Sequence, residues 1–204
     1  MTLGVPSMDV SRETLEALQV YAELTQKWTA RINLISKSTV GDIWERHIQD
    51  SLQLYPLAPP FGRWVDLGSG GGFPALVIAV VARERAPDAE FVLIESDARK
   101  CAFLRTVIRE LDLSATVYAS RIEETPPQQA DIVSARALAS LPELFALTVR
   151  HLKPTGTAFF LKGRQAQAEL DAVSADWTYE FAEHPSITDP HSRILQFKGI
   201  SRAA

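Results

Sequence analysis

The 204-residue sequence predicts an α/β protein with a mostly parallel seven-stranded sheet and helices on both faces. An N-terminal helical extension precedes the sheet, and an antiparallel C-terminal hairpin closes it. Three observations predict this. From Arg63 onward short apolar runs alternate with longer amphipathic stretches, the pattern of βαβ units. Before Arg63 the apolar residues recur at helical spacing. Beyond Thr178 two strand-like runs follow each other too closely for a helical crossover.

In the extension, Leu15, Leu18 and Ala22, then Ile43, Trp44, His47, Ile48, Ser51, Leu52 and Tyr55, mark the buried side of helices, with Ser11 and Ser38 as N-caps. The stretch from Tyr55 to Gly62 is broken by prolines and a glycine. It joins the extension, residues 1–62, to the main globular unit, residues 63–204, on which the extension is expected to pack. Parallel strands are expected at 63–67, 90–95, 115–119, 130–134 and 156–162, and helices at 74–86, 97–112, 140–152 and 164–175. Pro74 suits a first helical turn. The final strands, Thr178 to Ala182 and Arg193 to Lys198, form the edge hairpin.

Composition narrows the function classes. No apolar run is long enough to span a bilayer, and the opening MTLGVPSMDV lacks the basic flank and apolar stretch of a signal peptide, so a cytoplasmic protein is expected. Cys101 is the single cysteine, which excludes an intrachain disulfide and a Cys-based zinc site. His151, His184 and His191 have no acidic or cysteine partners at ligand spacing, and no metal is expected. The net charge of −4 argues against a protein that coats nucleic acid. An RNA contact would need a local patch, formed if Lys27, Arg31, Lys37 and Arg46 meet Lys162, Arg164, Arg193 and Lys198 on one rim.

The segment Trp64-Val-Asp-Leu-Gly68-Ser-Gly70-Gly-Gly72-Phe-Pro74 runs from a buried strand into a helix. A dinucleotide loop would read G-x-G-x-x-G, so that the helix N-terminus holds a pyrophosphate. Here Phe73 takes the place of its third glycine. The D-x-G-x-G-x-G arrangement from Asp66 suits a phosphate-free ligand whose amino-acid end rests on the backbone at Gly68 and Gly70, and S-adenosylmethionine is such a ligand. Glu95 ends the next strand, Phe91-Val-Leu-Ile-Glu95, where a carboxylate can accept both ribose hydroxyls across the crevice.

With these features, the sequence resembles the bacterial 16S rRNA (guanine 527-N7) methyltransferase family, also called small-subunit rRNA methyltransferase G or glucose-inhibited division protein B. The resemblance covers nearly the whole chain. It rests on Arg31-Ile-Asn33-Leu-Ile, Arg46-His47-Ile-Gln-Asp50-Ser51-Leu52, the Asp66 to Pro74 loop, and Glu95-Ser96 with Lys100 and Phe103-Leu104. Arg121-Ile122-Glu123, Ser134-Ala-Arg136-Ala137 and Leu161-Lys162-Gly163 match as well. The sequence departs from the family pattern at Gly71, where alanine or proline is frequent, at Ala75, where a further glycine is common, and at Ile122, where alanine is frequent.

The resemblance implies a Rossmann-like class I S-adenosylmethionine-dependent methyltransferase acting on 16S rRNA or an assembling 30S subunit. A monomer is expected. It implies that Gly68 and Phe73 contact the cofactor, that Ile122 and Glu123 flank its adenine, and that Arg136 reaches the methyl-transfer end. Guanine N7 carries an in-plane lone pair and no proton, so its methylation needs alignment and no general base. Arg136 or Lys162 would then hold O6 or a phosphate. Asn33, His47, Arg121, Lys162 and Arg193 are further RNA-contact candidates, although His47 also reads as a hydrogen-bonded core histidine that fixes the extension. Phe73, Trp28 or Trp44 would stack on a splayed base if exposed. Three rivals remain open: a nucleotide-dependent oxidoreductase, a non-catalytic S-adenosylmethionine-binding assembly factor, and a methyltransferase for another substrate. The missing loop glycine and the lack of a separate substrate domain count against the first.

Overall fold

A computed structural model of the chain describes residues 10–173 and 176–203. The signal-peptide reading of the first nine residues and the last two positions of the helix expected at 164–175 lie outside them.

Seven strands form one sheet in the order β3-β2-β1-β4-β5-β7-β6. Strands β1 (Arg63–Leu67), β2 (Glu90–Glu95), β3 (Ala115–Ala119), β4 (Ala130–Arg136) and β5 (Leu152–Lys162) run parallel. Strand β7 (Arg193–Arg202) is antiparallel to both β5 and β6 (Trp177–Pro185), as the short final link predicts. The first three strands begin and end as expected, because their apolar runs are bounded by polar or turn residues. The others are longer: β4 continues to Arg136, β5 starts at Leu152, and the hairpin strands run to Pro185 and Arg202. Ladder hydrogen bonds carry these strands past the end of the apolar pattern.

Helices cover both faces. On one, α1 (Arg12–Thr29), α3 (Ala75–Arg85) and α4 (Ala98–Glu110) enclose a core that includes Tyr21, Trp64, Val77, Phe103 and Phe159. On the other, α5 (Leu141–His151) and α6 (Ala166–Val173) cover Val65, Val133, Phe145, Phe160 and Phe197. Leu18, Tyr21, Ile43 and Ile48 of the extension belong to the first core. Each fully buried side chain of this kind contributes about 1.5–3 kcal/mol of transfer free energy.

Helix ends follow their caps. The Ser11 hydroxyl accepts from the Thr14 amide, Asp97 caps α4, and Ser140 forms a capping box with Glu143. Two cap expectations are corrected. Ser38 lies inside a short 3₁₀ turn, Lys37–Thr39, and Ser36 holds the N-cap position without a side-chain cap bond. Pro74 is itself the N-cap of α3, since the first helical bonds run to its carbonyl from Val77 and Ile78.

The second half of the extension is not the regular helix its spacing suggests. Trp44–Gln49 is a π-helical turn leading into the brief α2 (Asp50–Leu52), and the Asp50 amide reaches back five residues to the Glu45 carbonyl. Such wide turns insert one extra residue per turn and re-aim the side chains around them. Here they send His47 and Asp50 toward the carboxyl ends of the strands.

Candidate active site

The glycine loop leaves the carboxyl end of β1, where the strand order turns outward in both directions, β2 on one side and β4 on the other. In open parallel sheets this switch point is where ligands bind. Gly68 has φ +63° and Gly72 φ +86°, in the left-handed region. A Cβ at Gly68 would stand 2.4 Å from a Leu138 methyl, and one at Gly72 would stand 2.6 Å from Leu76 and 2.7 Å from the Tyr21 hydroxyl. The loop is therefore packed from both sides by groups that exclude a side chain.

Two adjoining cavities flank it. One, of about 310 Å³, lies over β2 and β3 and is lined by Gly68, Ile94, Glu95, Arg121, Ile122 and Glu123, with Leu138 opposite. The other, of about 460 Å³, lies between the glycine loop, the extension and the 186–192 loop. His47, Asp50, Phe73, Arg136, Thr188 and Arg193 are on its walls. Gly68, Lys100 and Ala137 border both.

Glu95 is buried at the end of β2, and each of its oxygens takes one backbone donor, Gly70 N–H at 2.9 Å and Asp97 N–H at 2.8 Å. A carboxylate oxygen has a second lone pair, so both retain capacity for hydroxyl donors. Ile122 is buried in the 3₁₀ turn after β3, and the buried His151 ring bonds its carbonyl at 3.1 Å. Glu123 and Arg121 are exposed at that cavity's edge. Gly68, Glu95, Ile122 and Glu123 thus meet along one crevice, as their positions after β1, β2 and β3 predict, while Gly70 lines the larger cavity and reaches this one through its bond to Glu95.

Asp66 sits under the loop at 1% exposure. Its Oδ1 accepts from the Ser134 hydroxyl at 2.5 Å, Ser134 in turn accepts from the Trp64 indole at 2.8 Å, and Oδ2 has no partner. Burial pushes the Asp66 carboxyl up to about 7, against the hydrogen bond from Ser134.

Arg136, at the end of the central strand β4, is the point where the two walls join. Its Nη2 donates to His47 Nδ1 at 2.8 Å, its Nη1 lies 3.5 Å from Asp50 Oδ2, and its guanidinium lies 5.0 Å from the Phe73 ring centre. Because Nδ1 accepts from a cation, the His47 proton is on Nε2 and is donated to Thr39 Oγ1 at 2.9 Å. Burial, reinforced by Arg136 and Arg46, pulls the imidazole down to about 3, so His47 is neutral. Phe73 is buried beneath this group, with its ring 4.9 Å from Tyr21 and 5.1 Å from His47. The Tyr21 hydroxyl donates to the Gly71 carbonyl at 2.5 Å, so α1 holds the loop directly.

The remaining sequence-derived candidates separate. Lys162, buried to 8% exposure, donates to the Ala139 carbonyl at 2.5 Å and to Glu169 at 2.7 Å, which is not the solvated strand end one would expect of a lysine there. Arg193 lines the larger cavity but is paired with Glu183 at 3.0 Å. Asn33 is exposed, while its neighbours Leu34, Ile35 and Ser36 line the cavity. Arg121 faces the smaller cavity and lies apart from the other RNA candidates. Trp28 packs on Phe103 at 5.6 Å, and Trp44 is half-buried. Of the two basic sets, Arg46, Lys162 and Arg193 do share the larger cavity.

Sequence reasoning missed Tyr21, Lys100, Asp50 and the 186–192 loop as parts of the site. Asp50 stood inside the Arg46 to Leu52 motif, whose spacing could have pointed to it; the loop carries no such signal.

A family model described as rRNA small subunit methyltransferase G matches residues 14–197, from the first turn of α1 to the middle of β7. The chain belongs to the rRNA small subunit methyltransferase G family. A curated member from Cereibacter sphaeroides, named ribosomal RNA small subunit methyltransferase G, is 53% identical over 196 residues, covering 96% of this chain and 94% of that protein. One of the same name from Paramagnetospirillum magneticum is 50% identical over 194 residues, covering 95% and 92%. Among solved structures, a SAM dependent methyltransferase from Aquifex aeolicus superposes with a TM-score of 0.59 at 12% identity, over 78% of this chain and 92% of that one. TYW2 from P. horikoshii, in complex with MeSAdo, superposes at 0.57 with 16% identity, over 85% and 65%. These likenesses show that this member of the rRNA small subunit methyltransferase G family has the Rossmann-like fold of class I methyltransferases. No helix among the described residues is long and apolar enough to cross a membrane.

Proposed function

We propose that the chain transfers the methyl group of S-adenosylmethionine to N7 of a guanine, of the position-527 type, in 16S rRNA of the small ribosomal subunit. The observation that carries this reading is the reach of the family match, which includes the glycine loop and the extension that faces it across the larger cavity. The residues present fit the cofactor. Gly68 leaves no room for a side chain, Gly70 offers backbone at φ +53°, Glu95 keeps lone pairs for two ribose hydroxyls, and Ile122 with Glu123 borders the adenine end. When bound, S-adenosylmethionine supplies an activated methyl on a sulfonium.

The protein's part is then placement. Arg136, adjacent in sequence to Ala137 that borders both cavities, and Phe73 beneath it line the larger cavity, so in this reading they border the methyl-transfer end, and the guanine enters from the larger cavity. Holding N7 in line is worth about 7–11 kcal/mol in favourable cases. No residue has to remove a proton, in keeping with a neutral His47 whose Nδ1 is already occupied by Arg136. Arg136 stays cationic and can address O6 or a phosphate. Lys162, with its ammonium engaged by Ala139 and Glu169, acts in this reading on the shape of segment 137–141 behind Arg136. Asn33, Arg46 and Arg193 supply the RNA-facing rim, and residues 1–62 act as an extension packed on 63–204, supported by their shared core.

The test is transfer of labelled methyl to 16S rRNA and to 30S particles from cells lacking this modification, with the modified base mapped. One N7-methylguanine in 16S rRNA is expected. Cofactor binding without transfer would favour an assembly factor instead, and transfer to small substrates alone would favour a different acceptor.

A further inference from the structure

Asp50 has no part in the reading above, yet it joins two parts of the larger cavity's wall that are far apart in sequence, the 186–192 loop and Arg136. It stands at the junction of the π-helical turn and α2, with only 15% of its side chain exposed. Its Oδ1 accepts from the Thr188 hydroxyl at 2.8 Å, the Ser186 hydroxyl at 3.2 Å and the Gln53 amide at 2.8 Å. Its Oδ2 faces Arg136 Nη1 at 3.5 Å. Gln53 completes the arrangement, because its Oε1 accepts from the Ile187 amide at 3.0 Å. One carboxylate therefore divides its two oxygens between the hairpin loop on the cavity's rim and the arginine at its floor.

We infer that Asp50 is a positioning residue for methyl transfer, setting Arg136 with one oxygen and the 186–192 loop with the other, so that the RNA-facing rim and the methyl-transfer end keep one geometry. This rests on the proposed function. The physical basis is the asymmetry of the two interactions. Hydroxyl and amide donors need only an acceptor oxygen, whereas a desolvated guanidinium needs an anion beside it. Arg136 has two other acceptors in reach, His47 Nδ1 and, at 3.4 Å, the Arg46 carbonyl, and both are neutral. Asp50 is thus the charged partner within ion-pair distance of it. The Arg46–Asp189 ion pair, at 2.8 Å, fastens the same loop from outside, and Arg46 meets Arg136 through its neutral backbone carbonyl alone.

Two substitutions separate the functions. Asp50→Asn keeps an acceptor for Ser186, Thr188 and Gln53 but removes the charge opposite Arg136. Its kcat on 30S particles is expected to fall about tenfold or more, with KM for the particles within about threefold of wild type and cofactor affinity little changed. Asp50→Ala removes both, and its KM should rise several-fold in addition. A merely structural role would lower the apparent kcat of both variants in step with the folded fraction and the thermal midpoint, and would leave KM for the particles unchanged even in Asp50→Ala. A wild-type kcat in Asp50→Asn, or a loss that tracks the folded fraction, would overturn the inference; should Asp50→Ala not fold, the Asn variant decides alone. A wild-type protein that methylates no rRNA would instead refute the proposed function, and this inference with it.

Discussion

On the sheet side of the cleft, the groups that face the cavities come from short stretches at the ends of β1, β2 and β3, and much of what they present is backbone. On the opposite side they come from residues 34–50 and 186–193, far apart in sequence, and most are side chains joined to one another. The first wall is stiff because a glycine loop packed on both flanks has few conformations open to it. The second depends on polar and charged contacts, each of which has an alternative partner in water. Ligand geometry is thus set by the fold on one side and by a hydrogen-bond network on the other.

Arg136→Ala strikes the junction between the walls and should have the largest effect. It strands Asp50 and leaves His47 Nδ1 without its donor. Breaking one half of a buried pair costs about 3–5 kcal/mol, which urea denaturation will measure. Methyl transfer per folded molecule should fall about 100-fold. If stability and activity both stay near wild type, the walls are not joined at Arg136.

Gly72→Ala tests the stiff wall alone. The added Cβ meets Leu76 and Tyr21 within 2.7 Å at a φ of +86°, so a loss of about 2–3 kcal/mol is expected, together with weaker cofactor binding by calorimetry. Unchanged binding would show that the loop can relax, and the contrast between the walls would weaken.

Acid sharpens the comparison, because each wall buries a group with a large shift and the two shifts oppose. His47 in the second wall is pulled from 6.5 to about 3, so the unfolded chain binds the extra proton between those values and stability falls as pH falls through that window. Asp66 under the first wall is raised from 3.8 to about 7, so the folded chain holds the extra proton and stability falls as pH rises through its window. Each contributes a slope of at most about 1.4 kcal/mol per pH unit, and where the windows overlap the two largely cancel. Asp66→Asn should therefore be more acid-sensitive than wild type between about pH 4 and 6.5, and His47→Gln less so, in denaturation midpoints followed against pH. Parallel profiles for all three proteins would show that neither group is perturbed as described.

Arg46→Ala should matter least. Its pair with Asp189 is solvent-facing, so the thermal midpoint should stay within about 2 °C of wild type. The effect should appear in RNA binding, with a shallower dependence on salt. A large drop in melting temperature would mean that the second wall relies on its outermost contact.

The same contrast explains what could be read from the sequence. Strands β1 to β3 and the loop after β1 were legible because apolar runs, glycines and a strand-end acid are local signals, and Gly68, Glu95, Ile122 and Glu123 do gather along one crevice, with Gly70 joined to it through Glu95. His47 was read in part, as a bonded core histidine that fixes the extension, without its link to Arg136. Asp50, Thr188 and Tyr21 escaped because their partners lie 50 to 138 residues away, and no periodicity encodes such pairs. The π-helical turn escaped as well, since its apolar spacing over a single turn is indistinguishable from an ordinary helix.

The antiparallel seating of β7 between β5 and β6 also has a meaning in time. It returns the 186–192 loop to the edge where the parallel strands end, so the outer side of the larger cavity is formed by residues synthesised long after the glycine loop. A nascent chain that has emerged through β5 already carries the loop after β1 and the acid after β2, while its larger cavity still stands open. The larger cavity is thus completed only after the hairpin has been synthesised and folds back.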